Sequence, residues 1–318
     1  MTKILITGIS GFVGSHLANH ILQTQNAELH GTILVGTPRL DTPNIHYHFL
    51  DLRDALQVEQ LIDEIRPDHI YHLAAQAFVP QSFEAPWGTL ENNIRGQLNI
   101  IQACLSVAIE PRMLVVSSAE IYGIVQPDEL PLTEDAPLRP TSPYSVSKVT
   151  QDMLALQYHL SHQLPIMRAR PFNHFGPGQN ERFVAPAFAT QIAQIEAGHK
   201  EPVIHVGNLE AKRDFTDVRD IVRAYTKIIE KGEPGAVYNV ASGVAHSIQE
   251  LLDTLLSYSG ADICVQTDPD RLRPVHIPIL QGDATRLCEA TGWQPQIPFE
   301  QSLQDILEDH RERVGNSA

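Results

Sequence analysis

Tyr144 and Lys148 stand four residues apart in Ser142-Pro143-Tyr144-Ser145-Val146-Ser147-Lys148, a stretch that reads as the opening turns of a helix. At that spacing both side chains leave the helix on one face. A phenol titrates near about 10 in water, and an ammonium beside it stabilises the phenolate, so the pair can exchange a proton with a carbinol or ketone nearer neutral pH. The same two residues also meet by chance on solvated helices. The elements around them must decide between the two readings.

The chain has 318 residues, 42% of them apolar, enough for a large core and for two lobes. Lys and Arg total 23 against 38 Asp and Glu, and the net charge of −15 argues against a nucleic-acid surface and against anionic membranes. Cys104, Cys264 and Cys288 are scattered without a CxxC, and the 15 histidines form neither HExxH nor a mixed Cys/His cluster. Neither a disulfide framework nor a metal site is expected. No apolar run approaches membrane-spanning length and no apolar leader precedes the first strand, so a soluble, cytoplasmic protein is the expectation.

Lys3-Ile4-Leu5-Ile6-Thr7 has the texture of a strand buried on both faces, and it runs through Gly8-Ile9-Ser10-Gly11-Phe12-Val13-Gly14 into an amphipathic helix. Strand, glycine turn and helix together are the setting for dinucleotide binding. The glycines let the backbone approach a pyrophosphate at the helix N-terminus, and Gly14 lets that helix close onto the sheet. The alternative is a turn of purely structural use. A second strand, Glu28 to Leu34, is followed by Val35-Gly36-Thr37-Pro38-Arg39 with no acid for a ribose 2′-hydroxyl, which leans towards NADP over NAD through Arg39. Asp51 and Leu52 follow a third strand, His46 to Leu50, where an adenine amino group can be read; Asp54 suits the N-cap of the next helix.

A fourth strand, His69 to Leu73, delivers Ala74, Ala75 and Gln76, small enough for a flat cofactor to pass. After a helix from about Gly88 to Val107, a fifth strand from Met113 ends in Ser117, Ser118 and Glu120; the Tyr144 helix then leads to a sixth strand closing at Pro171. This alternation predicts a Rossmann-type doubly wound parallel sheet over residues 1–171, with 217–240 returning to it. Residues 172–318 are expected to form a smaller, interleaved substrate lobe. There Phe172 to Gln179 reads as a loop, with helices at Val184 to Glu196, Asp217 to Lys231, Ser247 to Ser257 and Phe299 to His310, and strands at Val203 to Val206 and Val237 to Val240.

Gly8-x-x-Gly11-x-x-Gly14, Ala74-Ala75, Ser117-Ser118 closing a strand and Tyr144-x-x-x-Lys148, in that order, resemble the extended short-chain dehydrogenase/reductases that act on nucleotide-diphosphate sugars. Arg170-Pro171-Phe172-Asn173-His174-x-Gly176-Pro177-Gly178-Gln179, Arg182-Phe183-Val184, Val206-Gly207-Asn208-Leu209, Arg213-Asp214-Phe215-Thr216-Asp217-Val218 and Leu272-Arg273-Pro274 are similar to the GDP-mannose branch. The resemblance implies NAD(P)H-dependent reduction of the C4 keto group of GDP-4-dehydro-6-deoxy-D-mannose to GDP-D-rhamnose. It implies Tyr144 as general acid, Lys148 on the nicotinamide ribose and Ser118 on the carbonyl oxygen. Gly8, Gly11, Phe12, Val13, Gly14, Arg39, Asp51, Leu52, Ala74, Ala75, Gln76 and Pro171 would hold the cofactor. Ser118, Glu120, Asn173, Val184, Asn208, Arg213 and Arg273 would hold the substrate.

Glu120 keeps a second activity open, since the branch's 4,6-dehydratases use a Glu here to remove the C5 proton. Against that stand Ser118 in place of their Thr, Phe12-Val13 in place of Gln-Asp, Phe215-Thr216 in place of Trp-Gly, and the lack of their longer insertion after the second strand. His276, where the pattern has Asp or Glu facing guanine, departs from the branch. An epimerase with permanently held NAD and a non-catalytic dinucleotide-binding scaffold are the remaining alternatives. The resemblance also implies a homodimer in which the helices from about Gly88 and Tyr144 pair into a four-helix bundle.

Overall fold

The structure is a computed structural model and describes residues 1–40, 42–269 and 277–315. Its first half alternates strands and helices: β1 (Thr2–Thr7), α1 (Phe12–Thr24), β2 (Ala27–Ile33), β3 (Ile45–Phe49), α2 (Ala55–Ile65), β4 (His69–His72), α3 (Val79–Glu84), α4 (Pro86–Ser106), β5 (Arg112–Val116), α5 (Pro143–His162) and β6 (Ile166–Pro171). The second half runs through β7 (Asn173–Phe175), α6 (Val184–Glu196), β8 (Val203–Val206), β9 (Lys212–Asp217), α7 (Val218–Lys231), β10 (Val237–Val240), β11 (Ala245–Ser247), α8 (Ile248–Ser257), β12 (Cys264–Thr267), β13 (Ile279–Leu280), α9 (Thr285–Thr291) and α10 (Phe299–Gly315).

Among the described residues, seven strands form one parallel sheet in the order β10-β6-β5-β4-β1-β2-β3. The direction of winding reverses between β1 and β4, and a crevice opens at the carboxyl ends of such a pair. One sheet face buries Leu17 and Ile21 of α1 and Ile221 and Tyr225 of α7; the other buries Val58 of α2, Ile100 of α4 and Ala155 of α5. A second core gathers Phe188, Leu251 and Ile306 from α6, α8 and α10 beside Phe175 and Phe215.

The expected loop after β6 contains a strand. β7 pairs in parallel with β9, Asn173 opposite Phe215 and Phe175 opposite Asp217. Three residues are too few to show a period, and Lys212-Arg213-Asp214-Phe215-Thr216-Asp217 is too charged to read as a buried strand. Its burial is possible because the Asp214 carboxylate accepts from the Ser242 amide and hydroxyl, the Gly243 amide and the Gly282 amide. Beneath the site, Asp152 of α5 binds Arg168 at 2.8 Å and Arg170 at 2.9 Å, both on β6 and all nearly solvent-free. This buried triad locks the helix bearing Tyr144 against the strand ending in Pro171.

Candidate active site

Tyr144 is the second residue of α5, and the start of that helix is fixed three times over. Ser142 Oγ accepts from the Ser145 amide at 3.0 Å, Ser145 Oγ accepts from the Ser142 amide at 2.9 Å, and Pro143 occupies the first helical position. Ser147 Oγ donates to the Tyr144 carbonyl at 2.6 Å, and Asn93 of α4 donates to Ser147 Oγ at 2.9 Å while accepting from the Gln76 amide at 2.7 Å. One buried amide therefore ties the loop after β4 to the helix that aims the phenol. No motif or spacing in the sequence pointed to Asn93.

The phenol is 8% exposed and hydrogen-bonded to Ser118. Burial pushes it up to about 12 and the Glu120 charge adds to this, while the Ser118 bond opposes it. Ser118 Oγ also accepts from the Glu120 amide at 3.2 Å, so it serves the local backbone and the phenol together. Lys148, 4% exposed, donates from Nζ to the Val116 carbonyl at 2.9 Å and lies 6.0 Å from the centre of the Tyr144 ring. Burial brings its ammonium down to about 7. The expected direction is thus reversed: burial outweighs any lowering by Lys148, which is not among the groups that shift the phenol, and Tyr144 keeps its proton. Behind the lysine, His72 is held neutral by burial and by the Lys148 charge, its pKa lowered to about 3. Thr7 Oγ accepts from the Leu73 and Ala74 amides at 3.1 Å each, which leaves its proton for His72 Nδ1 at 2.9 Å.

Across the cleft lies the glycine turn. Gly8 has φ +71°, and a Cβ there would come within 3.0 Å of Ala74 Cα; a Cβ on Gly14 would come within 2.3 Å of the Gly8 carbonyl oxygen. Only glycine permits these approaches. Gly11 starts α1 with no side-chain cap and no acid follows in the first turn, so the helix offers free amides and the positive end of its dipole. This cradle suits the diphosphate of a dinucleotide.

The cleft measures ≈ 460 Å³. Gly8, Gly11, Phe12, Val13, Gly14, Arg39, Ala75, Ser118, Glu120, Tyr144, Lys148, Pro171, Asn173 and Val184 all line it. Phe78, Phe183 and Tyr225, which sequence reasoning did not single out as site residues, line it as well. Arg39 donates to the Gly178 carbonyl at 2.8 Å, bridging the β2–β3 connection to the stretch after β7. Other candidates lie outside the lining. Asp51 is paired with Arg53 at 2.6 Å beside a separate surface depression, and the Leu52 carbonyl accepts from Asn99. Ala74 packs under Gly8, and the Gln76 amide group donates to the Phe78 carbonyl. Asn208 caps its own turn at the Glu210 amide, and Arg213 on β9 donates to the Lys212 and Ile277 carbonyls. Arg273 and His276 lie outside the described residues. Among the described residues, no group of three or more His, Cys, Asp or Glu could hold a metal ion, and no helix is long and apolar enough to cross a membrane.

The family model described as GDP-mannose 4,6 dehydratase matches residues 5–306. The chain is 37% identical over 312 residues to GDP-6-deoxy-D-mannose reductase of Pseudomonas aeruginosa, covering 98% of each protein. It is 32% identical over 328 residues to GDP-mannose 4,6 dehydratase 2 of Arabidopsis thaliana, covering 97% of this chain and 86% of that one. Among solved structures it is similar to RMD from Pseudomonas aeruginosa complexed with NADPH, with a TM-score of 0.87 and 35% identity over 99% of this chain and 100% of that one.

Proposed function

Because the chain belongs to the GDP-mannose 4,6-dehydratase family of extended short-chain dehydrogenase/reductases, we propose that it reduces the C4 keto group of GDP-4-dehydro-6-deoxy-D-mannose with NADPH to give GDP-D-rhamnose. The observation that carries this is a buried phenol kept protonated, bonded to Ser118 and facing a glycine cradle in one cleft. A reduction needs such an acid. The end-to-end match to a reductase favours this reaction over water elimination. NADPH as cofactor is supported by Arg39 at the cleft, by the missing acid after β2, and by the NADPH held in the similar structure.

Bound NADPH supplies the hydride that reaches C4. Tyr144 Oη gives its proton to O4 as charge develops there, and the Ser118 hydroxyl holds that oxygen in line. The charge then left on the Tyr144 oxygen favours protonation of Lys148, whose ammonium burial disfavours in the unreacted site. Asn173 and Val184 take the sugar side of the cleft, and Asn208, Arg213 and Arg273 are assigned to the GDP moiety.

Glu120 separates the two activities of this family. The Glu120→Gln variant is expected to retain most of its keto-sugar reduction, because no carbon acid is deprotonated. An enzyme that used Glu120 as its base would lose about 10²–10⁴-fold. Incubation of the wild-type protein with GDP-mannose alone completes the test. Accumulation of the 4-keto-6-deoxy sugar would overturn the reductase reading in favour of dehydration.

The protein is assigned as a homodimer built on α4 and α5. Val146, Met153 and Leu160 recur every seven residues along α5 and are 42%, 38% and 65% exposed, with Trp87 of α4 at 73%. An apolar stripe of this kind suits a bundle with a second copy. Light scattering should give about twice the 35.3 kDa chain mass, and Met153→Glu with Leu160→Glu should halve it; a wild-type monomer at micromolar concentration would contradict the assignment. The free cysteines suit a reducing, cytoplasmic location.

A further inference from the structure

Tyr225 of α7 is among the residues lining the cleft, is 0% exposed, and its hydroxyl has no hydrogen-bond partner. Buried phenols almost always find one, because an unmet donor in an apolar surrounding is costly. Two other buried hydroxyls among the described residues, those of Tyr71 and Thr216, are also unpartnered, yet neither residue lines the cleft. Burial and the nearby Tyr144 both oppose ionisation of Tyr225. Both phenols line the cleft, where Tyr225 acts only as a neutral donor.

We propose that the Tyr225 hydroxyl binds the carboxamide of the nicotinamide ring, donating to its carbonyl oxygen. The assignment rests on the functional reading above and follows from what else can reach the end of the cleft at Tyr144. The diphosphate is drawn to the free amides around Gly11, Phe12 and Val13. The reacting oxygen of the sugar is held by Tyr144 and Ser118. An uncharged acceptor remains for an uncharged donor. Apolar walls at Leu73 and Val116 suit the faces of a flat ring whose one polar arm needs a partner. Tyr225 would thus fix the rotation of the ring, and with it the direction in which the hydride leaves.

Tyr225→Phe removes the hydroxyl and keeps the ring. NADPH binding, followed by fluorescence, should weaken about three- to tenfold, the effect of one neutral hydrogen bond. Binding of 2′-phospho-ADP-ribose, which lacks the nicotinamide, should be unchanged by calorimetry. The ligand-free variant should melt at or above the wild-type temperature, since no protein bond is lost. Tyr71→Phe should leave both affinities as they are. Unchanged NADPH affinity, equal weakening of both ligands, or a lower melting temperature without loss of NADPH affinity would overturn the assignment alone. A wild-type protein that binds neither ligand would overturn the functional reading along with it.

Discussion

Tyr144→Phe is expected to cut turnover by about 10²–10⁴-fold while leaving the affinity for NADPH nearly intact. The substitution keeps the ring, whose body fills a site only 8% exposed, and removes the one proton the reaction takes from the protein. Because burial and Glu120 hold that proton up to about 12, the wild-type acid stays loaded across the neutral range. Loss of turnover should therefore appear at every pH from about 6 to 9 rather than on one limb of a profile. Single-turnover kinetics with the keto sugar, read beside fluorescence titration of NADPH, separates the two effects. Turnover close to wild type would remove Tyr144 from the mechanism.

Lys148→Met should also abolish most turnover, yet stabilise the ligand-free fold. An unfolded lysine titrates near about 10.4, whereas burial lowers Lys148 to about 7. Between those values the unfolded chain holds a proton that the folded chain releases, so the wild-type protein gains stability as pH rises through that window. Below about 7 the whole cost of burying the ammonium is borne by the fold. The methionine variant is free of that cost. Its advantage in melting temperature should be several degrees at pH 6 and shrink towards pH 10. An advantage that is absent at pH 6, or that grows with pH, would contradict this account of Lys148.

Much of this arrangement was legible in the sequence where local chemistry dominates. The glycine turn, the bounds of α6, β8 and β10, and the Asp54 cap follow from backbone requirements and periodicity within a few residues. Tyr144 and Lys148 were visible through their spacing. Their protonation was not, because burial depends on neighbours from β4, β5 and α4 that are distant in sequence. β7 and β9 escaped for a related reason. The carboxylate of Asp214 is satisfied by amides roughly 30 to 70 residues away, and a charged strand cannot be told from a loop until those partners are known. Asn93 and Tyr225 carry no motif at all and matter only through what folding sets beside them.

Tyr144 and the cleft it faces are assigned the reduction of a sugar ketone at C4 with NADPH. The direct measurement supplies the protein with GDP-4-dehydro-6-deoxy-D-mannose and NADPH carrying deuterium at its transferable position, then follows nicotinamide absorbance and the product by NMR. The account predicts one NADPH consumed for each GDP-D-rhamnose formed, with deuterium at C4. NADPH left unconsumed while the sugar is converted, or deuterium absent from C4, would contradict it.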